Sequence, residues 1–484
     1  MNIEFTEGVR KEEMPNIIIF LLDAFRVDYA GCYGNPEGLT PNLDKLAGQG
    51  VLIERMTTVA PWTGPSQASL FSGLYPNQHR CNWNTLRMRP GIYTIWDIFH
   101  AIGYHSVASL SNDKVDNVMK LLGDHTEVVG WRTPATKVKA LDPMVAKEMA
   151  FDEEASRAPM IVKYFTDWLD RSKGSKEPFI AYLNVYDCHT RYRPTEPYKS
   201  TFISREDQKV LDQLWEMGGP FMLHFKEMNR EIEITPEMIR ALRSQFKAQV
   251  KTVDDALGTL LRKLSVHNIL DKTIFIAIAD HGDQLGDHKF PSFHHQSSIY
   301  NCLLWITSVF HYPKGIPKGK RVGTKNIQIV DVLGTILDLC KIKKPDFLMK
   351  SPGTTLVPYF TGQKVDPPRD YGIAMYEVPK MFIKWNKGEV DEKYLRKLLA
   401  IWDLKYKLIF SDGGYRELYD IEGDWDEQSD IHKQFPEMCS DFEKKFYDIL
   451  ESYGGIPDDY LVTAVSPESE DVVIERLRAL GYLP

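Results

Sequence analysis

The chain has six cysteines (Cys32, Cys81, Cys188, Cys302, Cys340 and Cys439), widely separated, with no CxxC pair and no dense framework among them. That spacing argues against a disulfide-stapled fold and leads to the expectation of a reducing compartment. Long apolar runs are also missing. The stretch "IIIFLL" falls far short of the roughly 20 residues a membrane span needs, and the charged opening "MNIEFTEGVRKEEMPN" lacks the apolar core of a signal peptide. A soluble, cytoplasmic protein with no membrane partner is expected. Basic residues are scattered and the formal charge is −8, so a nucleic-acid surface or polybasic patch is not expected either. Attraction for an anion must therefore be local. No internal repeat or long low-complexity tract is visible.

Apolar matter is plentiful: 43% of residues are hydrophobic and 12% aromatic, enough at 484 residues for one large α/β core and a smaller one. "NIIIFLLDAFRVDYAGCYG" opens as a continuous β-branched and aliphatic run, the pattern of a parallel strand covered on both faces, and stops at Asp23. Ligands in open α/β sheets collect at the carboxyl ends of strands, which makes Asp23 well placed for a site. "TPNLDKLAGQG" reads as a helix capped by Thr40, with Pro41 in its first turn. "GIYTIWDIFHAIGYHSVASLSND" reads as a helix and then a strand stopping near Ser109, and "PFIAYLNVYDCHTRYRP" as a buried strand running into Asp187 and His189. "VKTVDDALGTLLRKLSVHNI" has helical apolar spacing, and "KTIFIAIADHGDQLGDH" is a strand ending in Asp280 and His281. This alternation predicts a doubly wound, mostly parallel α/β sheet flanked by helices over residues 1–365. From 366 to 484 the texture changes. "SDGG" between two aromatic, β-branched segments is a hairpin signal, predicting a smaller α+β subdomain with a small antiparallel sheet.

Three early and late segments carry the candidate chemistry: Asp23, Thr63, and Asp280 with His281. Two carboxylates and an imidazole suit a divalent cation, Mn²⁺, Zn²⁺ or Ca²⁺, with one position left for a hydroxyl or substrate oxygen. Such a cation lowers the pKa of a bound hydroxyl, which lets an otherwise inert threonine attack phosphorus or sulfur. No organic cofactor is expected. In isolation "T-G-P-S" at Thr63 would read as a helix N-cap, and a helix N-terminus there also favours an anion.

At these residues the chain resembles the sulfatase branch of the alkaline phosphatase superfamily. The resemblance rests on "NIIIFLLDAFRVDYAGCYG", "TPNLDKLAGQGV", "PSQASLFSGLYPNQHR", "GYHSVAS", "VDDALGTLLRKL", "IADHGDQLGDH", "VDVLGTILDL", "YKLIF" with "ELYDIEGD", and the final "ERLRALGYLP", all in the family's order. It implies an alkaline phosphatase-like fold, a metal held by Asp23, Asp280 and His281, and a nucleophile at Thr63. In that family the nucleophile opens a Cys/Ser-x-Pro-x-Arg motif and is oxidised to formylglycine; here the positions read Thr63-Gly64-Pro65-Ser66-Gln67. The second acid usual after the first strand is Ala24, and the Lys and His usual after "GYxT" are replaced by Ser109, Leu110, Ser111 and Asn112.

What remains resembles phosphodiesterases and phosphonate monoester hydrolases. The similarity to the latter is greatest around "YPNQHRCNWN", where Asn84 falls on a substrate-oxygen donor, and at "DHGDQLGDH". It implies a metal-dependent hydrolase of phosphate or phosphonate esters acting on a small anionic substrate through a phospho-threonine. Release of that intermediate calls for a positioned base, for which His189 leads and His294 or His295 are alternatives. Either of the latter stands where sulfatases bring in a Lys. A second metal site built from Asp187, His189 and one of that pair is left open. Asn112 is a further substrate-binding candidate. Arg26 reads equally as an anion contact or a structural ion pair, and Asp283 and His288 as loop-ordering residues. Trp131, Trp215 and Phe221 line a pocket or pack beneath a long loop, and the apolar face of "SEDVVIERLRALGYL" docks on its own chain or on a second copy. Competing readings are a sulfate-ester hydrolase with an atypical nucleophile, a phosphoryl-group transferase, and a non-catalytic binding protein.

Overall fold

The computed structural model describes residues 3–6, 14–82, 87–110, 121–130, 157–172, 177–189, 192–217, 219–228, 230–288, 293–295, 298–377, 397–411 and 414–455. Three strands with almost no polar residues form its centre: β1 (Asn16–Leu22), β6 (Phe179–Val185) and β7 (Thr273–Ala279). Nearly every residue in them is buried, as expected of strands with helices over both faces. They belong to an eight-stranded sheet ordered β10-β2-β9-β7-β1-β6-β4-β5. The others are β2 (Val51–Ile53), β4 (His105–Leu110), β5 (Glu127–Gly130), β9 (Ser308–His311) and β10 (Lys320–Val322). All neighbours run parallel except β9, which is antiparallel to both β2 and β7. A minor sheet joins β3 (Met56–Thr57), β8 (Trp305–Ile306) and β11 (Ile327–Gln328). This is the doubly wound, mostly parallel α/β sheet flanked by helices that the sequence predicts.

One helical detail differs. The helix α1 (Pro41–Gln49) begins after Thr40, yet the Thr40 hydroxyl does not cap it; it accepts the Gly31 N–H at 2.7 Å. The cap comes from a distant carboxylate, Asp254 of the long helix Pro236–Val266, which accepts the N–H groups of Asn42 (3.1 Å) and Leu43 (2.8 Å). A cap supplied across 200 residues leaves no local signal.

The C-terminal strands β12 (Gly372–Tyr376), β13 (Leu398–Trp402), β14 (Tyr406–Phe410) and β15 (Arg416–Asp420) form a four-stranded antiparallel sheet in that order. Successive side chains alternate faces. Ile373, Met375, Leu399, Ile401, Leu408 and Phe410 join the main core, alongside Phe442 and Phe446 of the helix Pro436–Ser452. Tyr376, Trp402 and Tyr419 on the other face cluster with Trp62 and Leu303. The Met375 N–H also donates to the Val59 carbonyl at 2.9 Å. The small sheet therefore braces the segment that leads into Thr63. Among the described residues no helix is long and apolar enough to cross a membrane, and all six cysteines are free.

Candidate active site

The register of the central strands brings two acids together. β1 and β7 pair Leu22 with Ala279, so the next residue on each strand, Asp23 and Asp280, leaves the carboxyl edge side by side. Asp23 is further fixed by donating its N–H to the Val185 carbonyl of β6 at 2.9 Å. After His281 the chain passes so close to the Cys302 carbonyl that a Cβ on Gly282 would lie 1.9 Å from its oxygen; only glycine fits. Gly282 also donates to the Leu303 carbonyl (2.9 Å), which clamps the Asp-His-Gly turn.

Thr63 is the first residue of helix α2 (Thr63–Ser72), and Trp62, not Thr63, is its N-cap. The Trp62 ring lies over Gly64, where a Cβ would come within 2.5 Å of it. Thr63 thus stands at the positive end of a helix dipole with its hydroxyl uncommitted to capping. That hydroxyl lies 3.3 Å from His281 Nε2.

Around this point the polar groups are held from behind. Gln67 donates through Nε2 to Asp280 Oδ2 (2.9 Å) and accepts the Tyr182 hydroxyl on Oε1 (2.8 Å). Asp280 Oδ1 accepts the N–H of Ala24 (3.3 Å), a residue at φ +57°, and that of His281 (2.9 Å). The Ser66 hydroxyl donates to the Asp280 carbonyl at 2.7 Å. His281 Nδ1 sits 2.7 Å from the Gly282 carbonyl; an N–H there leaves the Nε2 lone pair facing Asp23 Oδ1 at 3.7 Å and Asp280 Oδ1 at 3.8 Å.

Asp23 is the unusual member. It is 1% exposed and neither carboxylate oxygen has a hydrogen-bond partner among the described residues. Burial, reinforced by the charges of Asp280 and Asp283, pushes its carboxyl well above the ordinary range. An uncompensated buried acid of this kind is expected where a positive charge belongs. Ligand atoms of Asp23, Asp280 and His281 all lie within 4.8 Å of one another, and a set of two carboxylates and an imidazole fits a divalent cation.

The remaining candidates divide. His189, His294 and His295 are all brought beside this group: the His189 and His295 rings are 4.6 Å apart, and those of His295 and His281 4.5 Å. Asp187 instead accepts the Arg157 N–H at 3.0 Å. Arg26 belongs to a structural network, against its assignment to substrate. Its buried guanidinium pairs with Asp28 (2.8 Å) and Asp287 and donates to the Asp283 carbonyl (3.2 Å). Burial opposes its charge, but Asp28 and Asp287 more than offset that and hold it firmly protonated. His288 stacks on Tyr300 with centroids 3.7 Å apart, and Trp215 packs half-buried under Arg193. Asn84, Asn112, Trp131 and the C-terminal segment 456–484 lie outside the described residues. Phe221 falls in the helix Gly219–Met228.

Sequence reasoning missed three residues. Gln67 reads from sequence as a lost arginine, yet it orients Asp280. Tyr182 stands behind Gln67. Asp283, read as a loop acid, converges with His294 and His295. An inward-facing tyrosine in the strand run "FIAYLNV" was the one available signal for the second.

Comparison with known proteins agrees with this architecture. Residues 15–342 match the sulfatase family model. An arylsulfatase of Clostridium perfringens is 24% identical over 379 residues, 69% of this chain and 76% of that protein. A Delta 4,5-hexuronate-2-O-sulfatase of Bacteroides thetaiotaomicron is 22% identical over 475 residues, 94% of this chain and 90% of the relative. The crystal structure of a phosphonate monoester hydrolase from Agrobacterium radiobacter superposes with a TM-score of 0.71 at 17% identity, covering 91% of this chain and 96% of that one.

Proposed function

The chain belongs to the sulfatase family and is an ester hydrolase of sulfate or phosphate esters, and from that premise we propose that it cleaves phosphorus esters, phosphate or phosphonate, with Thr63 as nucleophile. The observation that carries this reading is the Thr63 hydroxyl 3.3 Å from His281 Nε2, beside the Asp23 carboxylate, which has no hydrogen-bond partner among the described residues. Asp23, Asp280 and His281 would hold the cation, which when bound supplies Lewis acidity at a neighbouring hydroxyl.

The residues do the rest. Gln67 and the N–H groups of Ala24 and His281 hold Asp280 in one orientation, and the Gly282 carbonyl fixes the His281 ring. The start of α2 favours an anion beside Thr63. Thr63 Oγ1 gives up its proton to solvent and bonds to phosphorus, the ester oxygen departs with the electron pair and takes up a proton, and the phospho-threonine remains. Water then attacks phosphorus, the bond to Thr63 Oγ1 breaks with its electron pair staying on that oxygen, and Oγ1 takes up a proton to restore the hydroxyl. His189, beside His295, removes the proton from that water. Threonine has no route to the aldehyde hydrate of formylglycine, and Gln67 is engaged with Asp280 and Tyr182, which favours phosphorus over sulfur.

The sulfate-ester reading is favoured by one observation, that the curated relatives above are named sulfatases. A panel decides between them: chromogenic phosphomonoester, phosphodiester, phosphonate monoester and sulfate ester, with metal-stripped protein and protein loaded with Mn²⁺, Zn²⁺ or Ca²⁺. Metal-dependent turnover fastest on a phosphorus ester, with a phosphoryl adduct on Thr63 by mass spectrometry, is expected. Faster sulfate turnover would transfer the assignment to the second reading.

A further inference from the structure

Beside the first group lies a second convergence of ligand atoms, which the mechanism above leaves unused. Asp283, His294 and His295 are each about 1% exposed or less, and each offers a ligand atom within 4.8 Å of the other two. His294 Nδ1 and His295 Nδ1 are 3.0 Å apart, and His295 Nδ1 is 3.3 Å from Asp283 Oδ1. Ligands at about 2.0–2.1 Å from a tetrahedral Zn²⁺ are separated by roughly 3.3 Å, so these spacings are those of groups sharing one ion.

The backbone is bent to make this happen. Adjacent residues in extended chain point to opposite sides. His294 instead has φ +76°, a left-handed conformation uncommon for a residue with a Cβ, and both imidazoles turn to the same side. Asp283 is oriented too: the Tyr192 hydroxyl donates to its Oδ2 at 2.5 Å, leaving Oδ1 toward His295.

We propose that Asp283, His294 and His295 form a second cation site, adjacent to the one assigned to Asp23, Asp280 and His281. It builds on that first assignment, and the 4.5 Å between the His281 and His295 rings places the two ligand sets next to each other. Charge supports it. Asp23, Asp280 and Asp283 are three buried carboxylates, and Arg26 nearby is already matched by Asp28 and Asp287. One divalent ion leaves this group negative; two do not. The ligand chemistry separates the sites. Two imidazoles and one carboxylate select Zn²⁺ over Ca²⁺, whereas the first set, richer in oxygen, accepts either.

The test is the number of ions bound, with the metals alone as probes. Metal-stripped full-length protein is saturated with Zn²⁺ or Ca²⁺, desalted, and its metal content measured by elemental mass spectrometry. Wild type is expected to hold one Zn²⁺ more than Asp283→Asn or His295→Ala, and one more Zn²⁺ than Ca²⁺. Asp23→Asn is expected to keep the second ion while losing the first. Co²⁺ titration of wild type adds a readout that needs no variant: a second, separately saturating visible band from the site with two imidazoles. Equal Zn²⁺ content in wild type, Asp283→Asn and His295→Ala, with a single Co²⁺ phase, would overturn the second site and leave a hydrogen-bonded Asp283–His295 pair. If the one ion lost belongs to Asp283→Asn and not to Asp23→Asn, the first assignment fails and the second stands.

Discussion

Two buried groups of charged residues, one at the sheet edge and one under the small sheet, treat the same electrostatic problem in opposite ways. Lys407 of β14 and Glu427 are 1% and 0% exposed at their side chains and lie 2.7 Å apart. Lys407 also donates to the Ile299 carbonyl (2.8 Å) and Asn301 Oδ1 (3.0 Å), and Glu427 accepts the Asn301 N–H (2.5 Å). Burial pulls the ammonium down and the carboxyl up, and the charge of each partner opposes that shift in the other. The acid here has its counter-charge within the chain, and the pair ties the small sheet to the segment following the His294–His295 turn. Asp23, equally buried, has no lysine or arginine beside it among the described residues, and no hydrogen-bond partner among them. A buried cation beside the acid marks a structural device, and a buried acid without one marks a place kept for something else.

The largest effect expected from breaking this contrast is at Asp23. Asp23→Asn removes a proposed ligand and should lower kcat/KM by about 10²–10³-fold, the worth of one preorganised electrostatic group in a reaction centre. The same change should raise the thermal midpoint of the metal-free protein at neutral pH, because it deletes a buried acid whose carboxyl is pushed well above its ordinary range and so costs stability there. A calorimetric scan showing lower stability would refute the contrast.

Lys407→Met should do the reverse. It strands Glu427 and is expected to remove about 3–5 kcal/mol from stability by urea unfolding, while Lys407→Met with Glu427→Leu regains most of it. Metal content should be unchanged in the double variant.

Gln67→Leu tests a supporting contact. Losing the donor to Asp280 Oδ2 should weaken metal binding by about 10–100-fold in a competition titration, with little change in unfolding midpoint.

The smallest effect is a pH dependence outside both groups. Burial lowers His79 from 6.5 to about 3 and His224 from 6.5 to about 4. Below pH 6.5 the unfolded chain takes up protons that the folded chain refuses, so stability is full above that value and declines as pH falls toward 4. Metal-free His79→Gln, compared with wild type at pH 7.5 and 4.5, should show a shallower decline. His79 is an internally satisfied histidine, with Nδ1 accepting the Cys81 N–H (3.0 Å) and Nε2 bonded to Ser69 Oγ (2.9 Å).

How much was legible beforehand follows from range. β1, β6 and β7 could be read because burial on both faces writes itself as an unbroken apolar run, and the polar residue ending each run marks the sheet edge. That much gave the architecture and brought Asp23, Asp280 and His281 forward as neighbours. The conformations between elements were not readable. Nothing in "FPSFHHQ" announces φ +76° at His294, and nothing near Asp283 announces Tyr192. Arg26 could not be decided because Asp287, which engages it, is supplied by a loop after another strand. Thr40 misled for a similar reason, since the true cap on α1 is Asp254.

The in-register exit of β1 and β7 carries one more consequence, for biosynthesis. A ribosome must release the chain past His281 before Asp23, made with the first of the central strands, meets its companions. Until then no cation can be captured there, so ion uptake would report that the last central strand has been inserted, and a prematurely terminated product would emerge empty.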